Sequence, residues 1–509
     1  MDSDFLKAFL PEIFFSVIIF SQLLFNTTFI NKLIFNYPII TKEVISQISF
    51  TFICLFFLYN NQSITGYFQN FLFVSDTGSV FLKIVLITVS SAVLLLIGRG
   101  SFLQEINFFE YFLLFLLSIF SLLLLINASD ILSIYLIIEM QALCFYILAS
   151  FKRNSSFSTE AGLKYFIAGS FISCIFLSGA SLIYGSLGTL QLSSLSLLLS
   201  FGFSNDFDFI HSLVILGVVL ITVTLLFKIS AAPFHFWAPD VYEGSPLAST
   251  IIFSVIPKIS IFVFFIRWIF ATSLVFLDVN FIFLQIAVLS VFFGTFFAIK
   301  QKRVKRLIIY SSIAQVGFLI APFFTLSIDG FAYIFFYLFI YLLTSILVWG
   351  NLVLFYDSFN VFKTFSKNCL ASFFISNLAG LSKVNKLSAL SFIFIFFSIS
   401  GIPPLAGFLA KIFIFLNLLE FKQFLGAVLL MLFNIISVYY YIRIIKIVFF
   451  EVKTLSTNNL EFQMTFNVYL QDIIIFLLVS SLFALIFVFF YPTLFYLSSQ
   501  YCILGLENF

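Results

Sequence analysis

Residues 225–237 read LLFKISAAPFHFW, which places Lys228 inside an apolar run with Pro233 and His235 shortly after it. A charged side chain in an apolar helix is costly, and a proline interrupts a helix because it has no N–H to donate. Each feature alone destabilises the helix that carries it. Their occurrence together predicts an interrupted helix beside a buried charge.

The chain as a whole has the composition of a membrane protein. Of its 509 residues, 62% are hydrophobic and 9% are charged, whereas a soluble domain typically carries about 25% charged residues. Apolar runs of about 20 residues, long enough to cross a bilayer as a helix, recur from end to end. These runs lack the alternation of membrane β-strands. The sequence therefore predicts an all-α polytopic membrane protein.

The apolar runs predict about 14 transmembrane helices. Their approximate spans are 9–30, 44–60, 79–98, 106–126, 130–150, 163–184, 210–232, 246–270, 274–298, 305–325, 329–354, 388–418, 424–448 and 470–495. Two of these helices are predicted to be broken, the seventh at Pro233 and the twelfth at GIPP, residues 401–404. The stretch 356–387, rich in Ser, Asn and Lys, is predicted to be a linker between helices.

The basic residues indicate the orientation of the helices. If the predicted spans alternate, most of the 25 Lys and Arg residues fall in loops on one side, and only Lys7, Lys83, Arg267 and Lys422 fall on the other. Since basic loops stay on the inner side of a membrane, both termini are predicted on the outer, periplasmic or intermembrane-space side. KQKRVKR, at 300–306, then determines topology, and no nucleic-acid partner is expected.

Four ionisable residues remain near the middle of predicted spans once the loops are subtracted: Glu139, Lys228, Lys258 and Lys411. Ionisable groups at this depth usually face a bundle interior or water. Burial disfavours the charged form of an amine and a nearby carboxylate favours it, so a lysine with a movable partner can gain and lose a proton. Glu139 is the predicted partner of Lys228. Two alternatives remain, that the lysines extend to lipid headgroups and that Glu139 and Lys228 form a fixed ion pair.

The two predicted breaks suggest where a proton path would be hydrated. Irregular backbone within a membrane is tolerated where it is buried in protein or lines a water-filled cavity. Lys228 precedes the first break and Lys411 follows the second. His235, just after the first break, is predicted either to relay protons or to make an ordinary hydrogen bond.

Five stretches of the chain follow one another in a recognisable order. They are EAGLKYFIAGS (160–170), SLIYGSLGTL (181–190), FKISAAPFHFWAPDVYEGSP (227–246), KRLIIYSSIAQVGF (305–318) and SGIPPLAGFLAKIFIF (400–415). Over about residues 100–450 they resemble the antiporter-like proton-translocating subunits of the NADH:ubiquinone oxidoreductase, complex I. The PDVYEGSP form is typical of the mitochondrial subunit 2 type and argues against the related cation/proton antiporters. Lys411 argues against the sister subunit 4, which usually has glutamate at this position.

The resemblance implies a domain organisation and roles for the buried residues. It implies two inverted five-helix repeats, at 106–270 and 271–450, between a three-helix extension (1–105) and a C-terminal loop with the last helix (451–509). Glu139 would be the carboxylate paired with Lys228, Lys258 the central relay, and Lys411 the lysine at the exit side. Relatives commonly carry histidine at the position of Gln315, which can hold water but cannot titrate.

The resemblance also implies a function within a larger assembly. The chain would be a non-redox membrane-arm subunit of complex I, in the mitochondrial inner membrane beside other membrane-arm subunits. Independently of the resemblance, the basic inner-side loops are expected to bind anionic lipid such as cardiolipin. NADH, FMN, iron–sulfur clusters and ubiquinone would bind elsewhere in the complex. The sequence is compatible with this, since it has no G-x-G-x-x-G fingerprint before a helix and its five cysteines form no metal-binding cluster. Two rival functions are a standalone cation/proton antiporter subunit and a structural complex I subunit that conducts no protons.

Overall fold

The computed structural model describes most of the chain. The described residues are 8–29, 51, 54, 55, 58, 66–68, 72–104, 109–200, 208–276, 280–362, 374–384, 386–451 and 468–506. The predicted second helix, 44–60, lies largely outside them. The described helices are α1 (Leu10–Phe29), α2 (Thr77–Leu103), α3 (Phe109–Asn127), α4 (Ile131–Ser150), α5 (Ser156–Leu187), α6 (Leu192–Ser200), α7 (Asp208–Lys228), α8 (Trp237–Gly244), α9 (Leu247–Ala271), α10 (Phe281–Lys300), α11 (Val304–Ile320), α12 (Ile328–Phe362), α13 (Lys386–Ser400), α14 (Ala406–Glu420), α15 (Phe424–Phe450), α16 (Val468–Phe490) and α17 (Pro492–Leu506).

Short elements complete the described fold. Strands β1 (Gly66–Phe68) and β2 (Phe73–Ser75) pair antiparallel, with Gly66 opposite Ser75. Single helical turns lie at Ser273–Phe276, Ala321–Phe324, Ile375–Leu378 and Leu381–Val384.

The predicted class, an all-α polytopic membrane protein, is confirmed. Within the described ranges, eleven helices are long and apolar enough to cross a bilayer, and two shorter apolar helices lie at Leu10–Leu24, within α1, and at Lys386–Ser400, which is α13. The predicted number of about 14 is not confirmed. The division into two inverted repeats stays a prediction.

Several predicted boundaries are wrong. The sixth span begins earlier than 163, because α5 starts at Ser156, and the unpredicted helix α6 follows it. Helix α12 continues to Phe362, so the first part of the predicted linker is helical. The last span is predicted to end at 495, whereas α16 ends at Phe490 and Pro492 begins the separate helix α17. Proline favours the first turn of a helix because no intrahelical partner is available there for an N–H.

Both predicted breaks are present and share one local geometry. Helix α7 ends at Lys228 and α8 begins at Trp237, while α13 ends at Ser400 and α14 begins at Ala406. The backbone turns through a positive φ in each break, at Ser230 (+60°) and at Gly401 (+81°). In each, the next N–H bonds five residues back, from Ala231 to Leu226 and from Ile402 to Phe397. These are helix C-caps of the left-handed type, so the first helix of each pair ends in a specific backbone geometry.

Helix α9 lies at the centre of the described bundle. It packs against α2, α3 and α12, and its apolar membrane-spanning stretch is buried along its whole length. Because nearly all of its residues are buried, whichever way they point, this helix is enclosed by protein and does not face lipid. Lys258 is on this helix, so the bundle surrounds it on all sides.

Two basic residues that the sequence assigned to outer loops lie inside the protein instead. Lys83 is buried in α2 and forms an ion pair with Glu12 of α1. Arg267 is buried in α9 and donates 2.8 Å to Asp76, just before α2. The loop assignment was wrong because hydropathy cannot detect an acid from a distant part of the chain that offsets the cost of burying a base.

Candidate functional site

The side-chain amine of Lys258 binds the phenol of a tyrosine. It follows Pro257 within α9 and is 4% exposed. Its Nζ donates to the hydroxyl of Tyr341 at 2.5 Å and lies 4.2 Å from the centre of the same ring. The Tyr341 hydroxyl in turn donates to the carbonyl oxygen of Ser254 at 3.0 Å. The alternative that this lysine extends to lipid headgroups is therefore excluded.

Lys411 reaches back to the second break. It is 4% exposed, and its Nζ donates to the carbonyl oxygens of Ile399 at 2.6 Å and Ser400 at 3.1 Å. In a continuous helix these carbonyls would accept from the residues four positions on, which here are Pro403 and Pro404 and have no N–H. The two prolines thus leave free the backbone oxygens that the amine uses.

Further contacts hold the Lys411 amine in this position. Asn434 of α15 accepts from Nζ at 2.5 Å and itself donates to Ser400 at 3.1 Å. The ring of Phe318 lies 4.9 Å from Nζ. Gly401 passes so close that a Cβ there would lie 3.0 Å from the Lys411 Cδ. The lysine therefore depends on the sharp turn of the break.

Glu139 and Lys228 face the same small cavity between α4, α5 and α7. This cavity has about 10 Å³, and Tyr135, Ser173 and Thr224 are among its lining residues. Such a volume is at the lower limit for one water molecule. The ion pairs of the described residues do not include one between Glu139 and Lys228. The structure thus brings the predicted partners together without a direct contact, in contrast to a fixed ion pair.

His235 is buried in aromatic surroundings. Its ring stacks on Phe236 at 4.5 Å, Phe293 at 5.5 Å and Phe297 at 6.4 Å between centroids. Phe293 and Phe297 belong to α10. The histidine therefore packs the first break against α10, and its role as a proton relay stays a prediction.

Gln315 lines a second cavity, of about 20 Å³, with room for one water molecule. Its polar walls come from α8, α9, α11 and α12. They are Tyr242, Ser254, Ser311, Ser312, Gln315, Tyr341, Thr344 and Ser345. A water-holding role for Gln315 is compatible with this position, which lies on the same cavity as the phenol that holds Lys258.

The acids of PDVYEGSP connect α8 to α11 at the predicted inner surface. Asp240 accepts from Arg306 at 3.1 Å. Glu243 pairs with Arg303 and, at 3.4 Å, with Arg306. The basic cluster at 300–306 thus has a structural role beyond topology, because it holds the segment that follows the first break.

Sequence reasoning found the ionisable residues and missed their neutral partners. Tyr341 and Asn434 were not predicted, since one of 21 tyrosines and one asparagine in apolar helices give no sequence signal. The rule that a proline frees the carbonyl four residues before it would have indicated that a donor was needed near Phe253, Ile399 and Ser400.

Comparisons with known proteins agree on the family of the chain. The family model described as NADH:quinone oxidoreductase/Mrp antiporter, transmembrane, matches residues 128–437. NADH-ubiquinone oxidoreductase chain 2 of Marchantia polymorpha is 39% identical over 381 residues, covering 74% of this chain and 75% of the relative. NADH-quinone oxidoreductase subunit N of Pelagibacter ubique is 37% identical over 382 residues, covering 74% and 77%.

Solved structures share the fold. A chain of respiratory complex I from Thermus thermophilus superposes with a TM-score of 0.73 at 24% identity, over 95% of this chain and 98% of that one. A chain of the archaeal membrane-bound sulfane sulfur reductase reaches 0.77 at 22% identity, over 100% and 98%. A chain of the Mrp complex from a Dietzia species reaches 0.73 at 16% identity, over 99% and 98%. At these identities the similarity establishes the architecture alone.

Proposed function

The chain belongs to the NADH:quinone oxidoreductase/Mrp antiporter transmembrane family, and from this premise we propose that it is a membrane-arm subunit of respiratory complex I. In that complex it contributes to proton translocation coupled to electron transfer from NADH to ubiquinone. The identity of 37–39% with relatives named chain 2 and subunit N supports this assignment over a standalone antiporter.

The proposed path is a relay of ionisable and polar side chains. Glu139 and Lys228 act at one end, Lys258 acts at the centre, and Lys411 acts at the exit side of the second half. His235 and Gln315 are accessory members, and Gln315 acts by holding water. All of these residues fall within the matched region, 128–437.

The observation that carries the relay is the chemistry of the lysine partners. Lys83 is buried against a carboxylate, and a buried pair of opposite charges is fixed, because separating it leaves an uncompensated charge. The described partners of Lys258 and Lys411 are a phenol, backbone carbonyls and an amide, all neutral. Without a carboxylate to hold the charge, these amines can release a proton at lower cost.

The same proposal covers cofactors, partners and location. The subunit is non-redox, and NADH, FMN, iron–sulfur clusters and ubiquinone bind elsewhere in the complex. It contacts other membrane-arm subunits and lipids such as cardiolipin. It spans the mitochondrial inner membrane, with both termini on the intermembrane-space side.

The test compares two lysine substitutions in the assembled complex in coupled membrane vesicles. Lys411→Ala should leave the complex assembled and lower NADH:ubiquinone turnover and proton translocation by about tenfold or more, since a positioned proton-transfer group contributes ~10²–10⁴-fold to its step. The control is Lys446→Ala, at an exposed position of α15, which should match the unaltered complex.

Two results would contradict the proposal. If Lys411→Ala kept the normal turnover and proton-to-electron ratio, the chain would be a structural subunit. If the chain did not co-purify with NADH:ubiquinone reductase activity and exchanged cations for protons alone, it would be a standalone antiporter.

A further inference from the structure

The backbone around Lys258 is opened by Pro257. Because proline has no N–H, the carbonyl of Phe253, four residues earlier, loses its partner in the helix. The hydroxyl of Tyr242, from α8, donates to this oxygen at 3.2 Å. A phenol from the segment after the first break thus completes the hydrogen bonding of the helix that carries Lys258.

The adjacent carbonyl has the same kind of partner. The Tyr341 hydroxyl, from α12, donates to Ser254 at 3.0 Å while it accepts from Lys258 at 2.5 Å. A hydroxyl has one proton to donate and two lone pairs that accept. Tyr341 is therefore placed between the amine and a backbone oxygen, and rotation about its C–O bond can redirect its proton.

Both phenols also border the cavity of about 20 Å³ that Gln315 lines. This volume has room for one water molecule, and the walls offer several polar groups to which such a water would bind. Gln315 lies on α11 and Lys258 on α9. The phenol of Tyr341 thus contacts the Lys258 amine and also borders the cavity.

We propose that the hydroxyl of Tyr341 is the group through which Lys258 exchanges its proton with water in this cavity. The inference rests on the proposed relay role of Lys258 and adds a residue that the sequence did not indicate. Tyr341 holds the amine in the resting arrangement and passes protons in the active one.

The exchange balances without an oxidant or reductant. The Nζ–H bond of the Lys258 ammonium breaks as its proton joins the Tyr341 oxygen, and the proton of the hydroxyl leaves for the cavity water. Lysine ends as a neutral amine, tyrosine remains a neutral phenol, and the positive charge moves to the water. The reverse sequence recharges the lysine.

The experiment removes the hydroxyl and keeps the ring, with Tyr341→Phe in the assembled complex in coupled vesicles. We expect the complex to assemble normally and its coupled turnover to fall by about tenfold to 100-fold. A positioned proton-transfer group contributes ~10²–10⁴-fold to its step, so this loss lies at or below the lower end of that range. We also expect a larger solvent deuterium isotope effect on turnover. The isotope effect separates a relay from a packing role, because a packing defect does not slow proton transfer. The matched control is Tyr333→Phe on the same helix, whose ring stacks on Phe413 at 5.4 Å.

Parallel variants separate this inference from the proposed function. If Lys258→Ala retains turnover and stoichiometry, the relay itself is wrong. If Lys258→Ala is impaired and Tyr341→Phe behaves like Tyr333→Phe, only the role of Tyr341 is wrong. Should Tyr341→Phe fail to assemble, Gln315→Leu removes a polar wall of the same cavity at similar volume. A lower turnover with a raised isotope effect would support the path, and an unchanged turnover would overturn it.

Discussion

The amine of Lys411 donates to the carbonyl oxygen of Ile399, an acceptor that Pro403 makes available by lacking an N–H. The break and the buried charge are therefore one unit. The helix interruption, which costs backbone hydrogen bonds, supplies the acceptors that make the buried amine tolerable. Pro257 frees a carbonyl beside Lys258 in a similar way, although there a tyrosine hydroxyl completes the bonding.

Gly401 should be required for the position of Lys411. Gly401→Ala forces a left-handed conformation on alanine, at about 1–2 kcal/mol, and sets a Cβ 3.0 Å from the lysine Cδ. We expect coupled turnover to fall by about tenfold, in line with a misplaced proton-transfer group. The loss is measured as NADH:ubiquinone turnover and as proton uptake by coupled vesicles.

Gly380 provides the matched control, because its φ of +82° is nearly that of Gly401 and a Cβ there would meet nothing within 4 Å. Gly380→Ala should carry the same backbone strain and leave turnover unchanged. Equal losses in the two variants would indicate that strain alone is responsible.

Asn434 should hold Lys411 in place. Asn434→Leu removes the side-chain acceptor at 2.5 Å and leaves an N–H of a buried amine without its partner, at a cost of about 1–3 kcal/mol. We expect lower coupled turnover and an altered dependence of turnover on pH, while the amount of assembled complex stays close to normal. The pH profile is the decisive measurement, since a packing defect would scale it without changing its shape.

Gln423→Leu tests whether any polar-to-apolar change near α15 has this effect. Gln423 precedes the helix and makes no side-chain cap to it. Its pH profile should superimpose on that of the unaltered complex. A shifted profile in this variant would show that the effect is not specific to Asn434.

The Glu12–Lys83 pair should stabilise the N-terminal helices without taking part in proton transfer. Lys83→Ala leaves a buried carboxylate uncompensated and should destabilise the subunit by about 3–5 kcal/mol. Thermal inactivation of the assembled complex and retention of the subunit after detergent extraction measure this loss. Glu12→Ala with Lys83→Ala should recover most of the stability, because no charge is then left unpaired.

Turnover provides the second readout for this pair. The double variant should pump protons at the normal ratio per electron. A reduced ratio in a stable double variant would mean that the pair belongs to the relay.

Much of the site was accessible from sequence because proline and hydropathy act locally. Both breaks and the burial of Lys258 and Lys411 follow from residues within a few positions of each other. The misplaced residues, Lys83 and Arg267, have partners 71 and 191 positions away. A window of hydropathy cannot detect such a partner, and a charge near the end of a run is then assigned to a loop.

The sequence by itself determined that this chain is a bundle of membrane helices with two interrupted segments and several buried charges. These properties depend on side-chain transfer energies and on the missing N–H of proline, which are the same in any fold. The tertiary structure alone decided which buried basic side chains pair with a carboxylate and which donate hydrogen bonds to neutral oxygens. That distinction depends on residues such as Tyr341, 83 positions from Lys258, and only helix packing brings them within hydrogen-bonding distance.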